Sequence, residues 1–113
     1  MNSAYITVAA RPGQTYEELF EAANKLQDEI VAKGNEAGLG VGNVGAGSQF
    51  ELPERDLDFT VEGDMAEFVK VAGRVLTDAN YTVEQPRFRR DEKTREIVAR
   101  FRAFPPKPMG VVR

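Results

Sequence analysis

"RDLDFTVEGDMAEFVKVAGRVL", residues 55–76, decides the fold because its hydrophobic period changes once, at a marked point. In its first part Leu57, Phe59 and Val61 alternate with Asp56, Asp58, Thr60 and Glu62, the period-two pattern of a strand with one buried face. From Asp64 the period lengthens. Met65, Phe68, Val69, Ala72, Val75, Leu76 and Ala79 recur at helical spacing, and Asp64 with Glu67 supplies a capping arrangement. Gly73 inside this helix costs about 1 kcal/mol relative to alanine, so it marks either close packing or a tolerant surface.

Working outward, "AYITVA" (residues 4–9) is rich in β-formers and is closed by the turn chemistry of "RPGQ". Thr15 and Glu18 form a capping box, after which Leu19, Ala23, Leu26 and Ile30 repeat at helical spacing as far as Gly34, which suits the position just past a helix end. On the other side "YTVEQPRFRR" and "TREIVARFRAF" read as two strands joined by the polar turn "DEK". They form a hairpin. Ile97, Ala99, Phe101 and Ala103 face one way, Glu96, Val98, Arg100 and Arg102 the other, and Pro86 implies an edge or a bulge in the partner strand.

The order strand, helix, glycine-rich segment, strand, helix, strand, strand is a split βαβ pattern. It predicts an α+β fold: a ferredoxin-like two-layer sandwich with two helices on one face of a mainly antiparallel sheet of four or five strands. Residues 1–104 form a single domain on this reading, and the proline-rich segment 105–113 a loosely packed tail.

The glycine-rich segment "GLGVGNVGAGSQFE" (residues 38–51) holds five of the chain's ten glycines. Gly40, Gly42 and Gly45 match G-x-G-x-x-G in letters, but a phosphate cradle needs a strand before and a helix after, and here the order is reversed. The segment reads instead as a bulged edge strand or hairpin. Such an edge, with backbone unobstructed at Gly42 and Gly45, is a surface on which another chain can dock.

Composition narrows the chemistry. The chain has no Cys and no His, which removes thiolate and imidazole catalysis and soft-ligand metal sites, so a non-enzymatic role without a cofactor is favoured. Asp56, Asp58 and Glu62 could approach a hard cation, but plain alternation makes them a solvated strand face. No stretch approaches the roughly 20 apolar residues that span a bilayer, and no basic-then-apolar leader opens the sequence, so the expectation is a cytoplasmic protein with no membrane partner. Charge is divided: residues 1–80 hold 6 Lys/Arg against 14 Asp/Glu, and residues 81–113 hold 9 against 4. The basic hairpin, with Arg89, Arg100 and Arg102 among its six arginines, raises nucleic acid, but an acidic alternating strand and an overall charge of −3 speak against it.

The run "GNVGAGSQFELPERDLDFTVEGDMAEFVKVAGRVL" (residues 42–76) resembles a pattern found in small uncharacterised bacterial α+β proteins, some of which are immunity or inhibitor proteins that occlude a toxin or enzyme. The resemblance covers about a third of the chain and assigns no functional residue. With the residues themselves it leads to the expectation of a protein-binding module whose contacts come from Arg89, Arg100, Arg102, Gly42, Gly45 and Asp58. A second copy of the chain is an alternative partner. The rival reading is a ligand-binding or enzymatic dimer of the same fold, with a cleft between sheet and helices lined by Tyr5, Asp58 and Arg100, and the third is a weak nucleic-acid binder.

Overall fold

A computed structural model describes residues 1–49 and 53–105. The elements are β1 (Asn2–Ala9), α1 (Tyr16–Glu36), β2 (Val41–Gln49), β3 (Glu54–Val61), α2 (Met65–Asp78), β4 (Thr82–Val83), β5 (Arg87–Arg90) and β6 (Ile97–Phe104). The expected α+β character, both helices and the alternating strand are present. The expected tail lies outside the described residues except for Pro105.

The sheet departs from expectation in two respects, strand number and strand direction. It has six strands and is mixed rather than mainly antiparallel, in the order β2-β3-β1-β6, with β4 and β5 both on the outer side of β6. Strand β1 is antiparallel to β3, with Tyr5 opposite Asp58, but parallel to β6, with Tyr5 opposite Arg100. The reason lies in the hairpin. Arg87–Arg90 is exposed along its whole length and Pro86 interrupts the strand before it, so this member takes the edge. Its return strand, β6, buries Ala99, Phe101 and Ala103 and therefore slots between the edge and β1.

Helix α1 begins as the sequence predicts: the Glu18 N–H donates to Thr15 Oγ1 and the Thr15 N–H to Glu18 Oε1, closing the capping box. It ends later than predicted. Gly34 is a buried position within the helix, where an added Cβ would collide with Val41 Cγ2, and Gly38, at φ +76°, performs the left-handed exit instead. One turn earlier, Asn35 starts the next strand by pairing its amide with both backbone groups of Val41, at 2.7 and 3.0 Å. In α2 the Asp64 carboxylate accepts the N–H groups of Ala66 and Glu67, while Glu67 turns away to Lys70, so the cap is one-sided.

The core lies between the helix layer and one sheet face. Ile6, Leu57, Phe59 and Phe101 from the sheet meet Leu19, Ile30, Phe68 and Leu76 from the helices, all essentially inaccessible, and the rings of Phe59 and Phe68 sit 5.6 Å apart in a tilted pair. Phe59→Ala should therefore lower unfolding free energy in urea by about 3 to 5 kcal/mol, through lost burial and the cavity left behind. A change within error would place this ring outside the core. The two helical glycines should respond oppositely. At Gly73 an added Cβ meets nothing, so Gly73→Ala should stabilise by about 1 kcal/mol. Gly34→Ala should instead destabilise by about 1 to 3 kcal/mol, because Val41 must be displaced from a packed site.

Candidate functional site

Since the helices cover one face of the sheet, the other face displays every second residue of each strand. The register sorts these residues into rows that cross all the long strands. One row reads Gly45, Asp58, Tyr5, Arg100 and Arg87, and the next reads Gly42, Thr60, Ser3, Val98 and Arg89. A third joins Gly47, Asp56, Thr7 and Arg102. All six residues singled out in the sequence thus share this face, yet they form no cluster. Gly42 and Arg89 stand at opposite edges, four strand spacings or about 19 Å apart.

Electrostatics divide the face along β1. Strand β3 contributes Glu54, Asp56 and Asp58, and strands β6 and β5 contribute Arg100, Arg102, Arg87 and Arg89. Contacts across the divide are specific. Arg102 Nη1 donates to Glu54 Oε2 at 2.8 Å, the Thr7 hydroxyl donates to Asp56 Oδ1 at 2.7 Å, and the Arg100 guanidinium lies 4.5 Å from the centre of the Tyr5 ring. Asp58 is left without a direct cation partner among these contacts. Burial pushes its carboxyl above the usual range, the neighbouring Asp56 pushes the same way, and Arg100 opposes them.

Within the glycine-rich segment, Val41–Gln49 becomes the outer strand at the acidic side, and Phe50 and Glu51 lie outside the described residues. A bulge falls between Asn43 and Gly45, and the Asn43 amide closes it by donating to the carbonyls of Gly45 (3.1 Å) and Asp58 (3.0 Å). An edge strand with a bulge, as the glycine spacing implies, is what forms there. Gly45 faces open space, whereas a Cβ at Gly42 would press on Thr60 Oγ1.

One expectation is corrected. Tyr5, Asp58 and Arg100 line no cleft between sheet and helices: their neighbours Ala4, Ile6, Leu57, Phe59, Ala99 and Phe101 point to the helices, and strict alternation sends these three to the opposite face. Two participants were not anticipated, Glu54 and Thr7. Parity could have found them, since Glu54 shares a face with Asp56 and Asp58, and Thr7 with Tyr5. Among the described residues no three acidic, histidine or cysteine side chains are grouped to hold a metal ion, and no helix is long and apolar enough to cross a membrane.

The chain matches no family model, and comparison with curated proteins and with solved structures finds no match. The chemistry of the face rests on its own residues. For Asp58 the sign is definite: a carboxyl whose value is raised on folding favours the native state most below its ordinary value of 3.8, and that advantage is lost as pH rises through the raised value. Asp58→Asn should therefore stabilise the protein at pH 7, with the gain shrinking to nothing below about pH 4 in thermal unfolding followed across pH. A gain that persists at low pH would show that ionisation of Asp58 is not its source.

Proposed function

We propose that this chain is a non-enzymatic protein-binding module that acts by laying the open face of its sheet on a partner, in the manner of an immunity or inhibitor protein. The observation that supports it is the face itself: a sheet that none of the described helices covers on one side, with acids on one half, arginines on the other and a tyrosine between them. Tyrosine and arginine are the side chains that most often anchor protein interfaces, because each supplies a large contact area with polar groups at its end. We also read β1 through α2 as a ferredoxin-like unit extended by the β5–β6 hairpin, which would be what widens the face on its basic side.

The division of charge sets how such a module would associate. Opposite potentials raise the encounter rate more than they deepen the final affinity, and salt screens them over about 8 to 10 Å. The face lies within a single chain of 12.5 kDa, so a self-complex is distinguishable from a foreign partner by mass alone.

A photoreactive phenylalanine analogue placed at Tyr5, with the same analogue at exposed Arg74 on α2 as control, tests the reading in cells. Discrete cross-linked species from position 5 and not from position 74 are expected. For the partner so captured, replacing Arg89 and Arg100 with Glu should slow association several-fold at low salt, with the difference closing as salt rises. Equal cross-linking at both positions, or none at position 5, would remove the open face as the binding surface. A cross-linked mass of two chains would identify the partner as a second copy.

A further inference from the structure

Beside the basic half of the face runs a free strand edge. Strand β5 pairs with β6 on one side only, and the ladder is fixed by the Asp91 N–H bonding to the Glu96 carbonyl at 2.8 Å. Antiparallel pairs alternate between bonded and unbonded, so Arg89 and Arg87 exchange bonds with β6 while the N–H and C=O of Phe88 and Arg90 point outward. The Ile97 N–H, opposite Arg90, agrees: it turns to Asn2 Oδ1 at 2.9 Å. Among the described residues nothing pairs with that outward edge.

A groove lies against the same edge. Its volume is about 510 Å³, and Phe88, Ile97, Met65 and Ala66 make it chiefly apolar; Arg89, Arg90, Asn2 and Asp64 complete the lining, the Asp64 carboxylate being engaged by the first N–H groups of α2. Phe88 is 52% exposed, a large ring left in water at the end of α2 where the helix layer stops short of β5. The other side of β5 carries Arg87 and Arg89.

We infer that the β5 edge binds an extended acidic segment of a partner protein by strand addition. Backbone groups of Phe88 and Arg90 pair with the incoming strand. Every second side chain of that strand then falls on the groove side, beside Phe88, and the intervening ones fall beside Arg87 and Arg89. The preferred sequence alternates acidic with apolar residues. Charge complementarity selects it over a neutral strand, because three of the four β5 residues are arginine. Single-stranded nucleic acid fits less well: it cannot use the outward amides and carbonyls, and the edge offers one exposed ring where stacking needs a series of them. The inference does not depend on the open-face reading, since it draws on the strand edge and the groove.

A fluorescein-labelled pool of octapeptides, acidic at odd positions and Leu, Ile, Val, Phe or Met at even ones, tests it by anisotropy against the full chain. Saturable binding is expected, with amide exchange slowing at Phe88 and Arg90 and unchanged at Arg87 and Arg89. N-methylation of one alternate set of peptide amides should weaken binding about tenfold, and of the other set hardly at all, because only one set faces the edge. Phe88→Ala should weaken binding, Arg87→Gln with Arg89→Gln should flatten its salt dependence, and Tyr5→Ser should leave it intact. No binding by the pool, binding indifferent to N-methylation, or tighter binding of oligo-dT than of the pool would each overturn the inference. Failure here with selective cross-linking at position 5 leaves the open-face reading standing, and the converse result leaves this one standing.

Discussion

Strand β1 is hydrogen-bonded along both edges, and the rest of the molecule takes its register from it. Its inward residues Ala4, Ile6 and Val8 have no accessible surface, and each is matched by an inward residue on either side, Phe59 and Ala99 flanking Ala4, and Leu57 and Phe101 flanking Ile6. A slip of one residue on either edge would turn a whole strand's apolar set to solvent and its charges to the helices. Such a slip exposes several large side chains at roughly 1.5 to 3 kcal/mol apiece, against a net stability typically of 5 to 15 kcal/mol, so the register has no close competitor.

The two edges that result are managed differently. On the acidic side the chain relies on glycine: β2 lies beside β3 with a bulge at Asn43, and a bulge twists an edge away from the flat geometry that invites uncontrolled pairing. On the basic side it relies on shortness and charge, with Pro86 breaking the strand and arginines crowding what remains. Charge repels another copy of the same basic edge while leaving an acidic strand free to approach. Such an edge is therefore selective rather than closed.

Local patterns in the sequence carried most of this architecture, and non-local pairing carried the rest. The alternation at Leu57, Phe59 and Val61, the helical stripe from Met65 and the capping box at Thr15 each record a short-range constraint and formed where the pattern places them. Gly34 misled because glycine serves two ends, a left-handed exit and a close approach, and the letter does not distinguish them. Only the nearness of Val41 does. The parallel pairing of β1 with β6 joins residues about 95 positions apart, beyond any periodic signal. A clue was present even so. Of the two hairpin strands, "RFRR" cannot be buried on either side whereas "IVARFRAF" alternates, so the second must be the inner one, and an inner second strand has to run parallel to β1. The candidate face was legible as parity, because alternation alone puts Asp58, Arg100 and Arg102 on one surface. What joins them was not legible, since Glu54 reaches Arg102 across β1 only after that pairing exists.

The division of charge along the chain becomes a division in space by the same route. With β3 and β6 on either side of β1, the acidic first part and the basic last part of the sequence face solvent side by side, about 10 Å apart, a distance comparable to the Debye length of about 8 Å at physiological salt. They partly cancel. Glu54 and Arg102 meet directly, and a part-buried pair of this kind contributes on the order of 1 kcal/mol, so it uses up two charges on the face besides joining β3 to β6. Tyr5 stands between Asp58 and Arg100 and keeps them from pairing the same way. Arg87 and Arg89 lie one strand further out, beyond the reach of the β3 carboxylates. Positive charge therefore exceeds negative at the β5 edge, offset only in part by Asp91 beside Arg89 and by Asp64 in the groove, and the outward backbone groups and the exposed Phe88 ring lie at the same place, so a partner drawn by that charge would arrive where the sheet can take another strand.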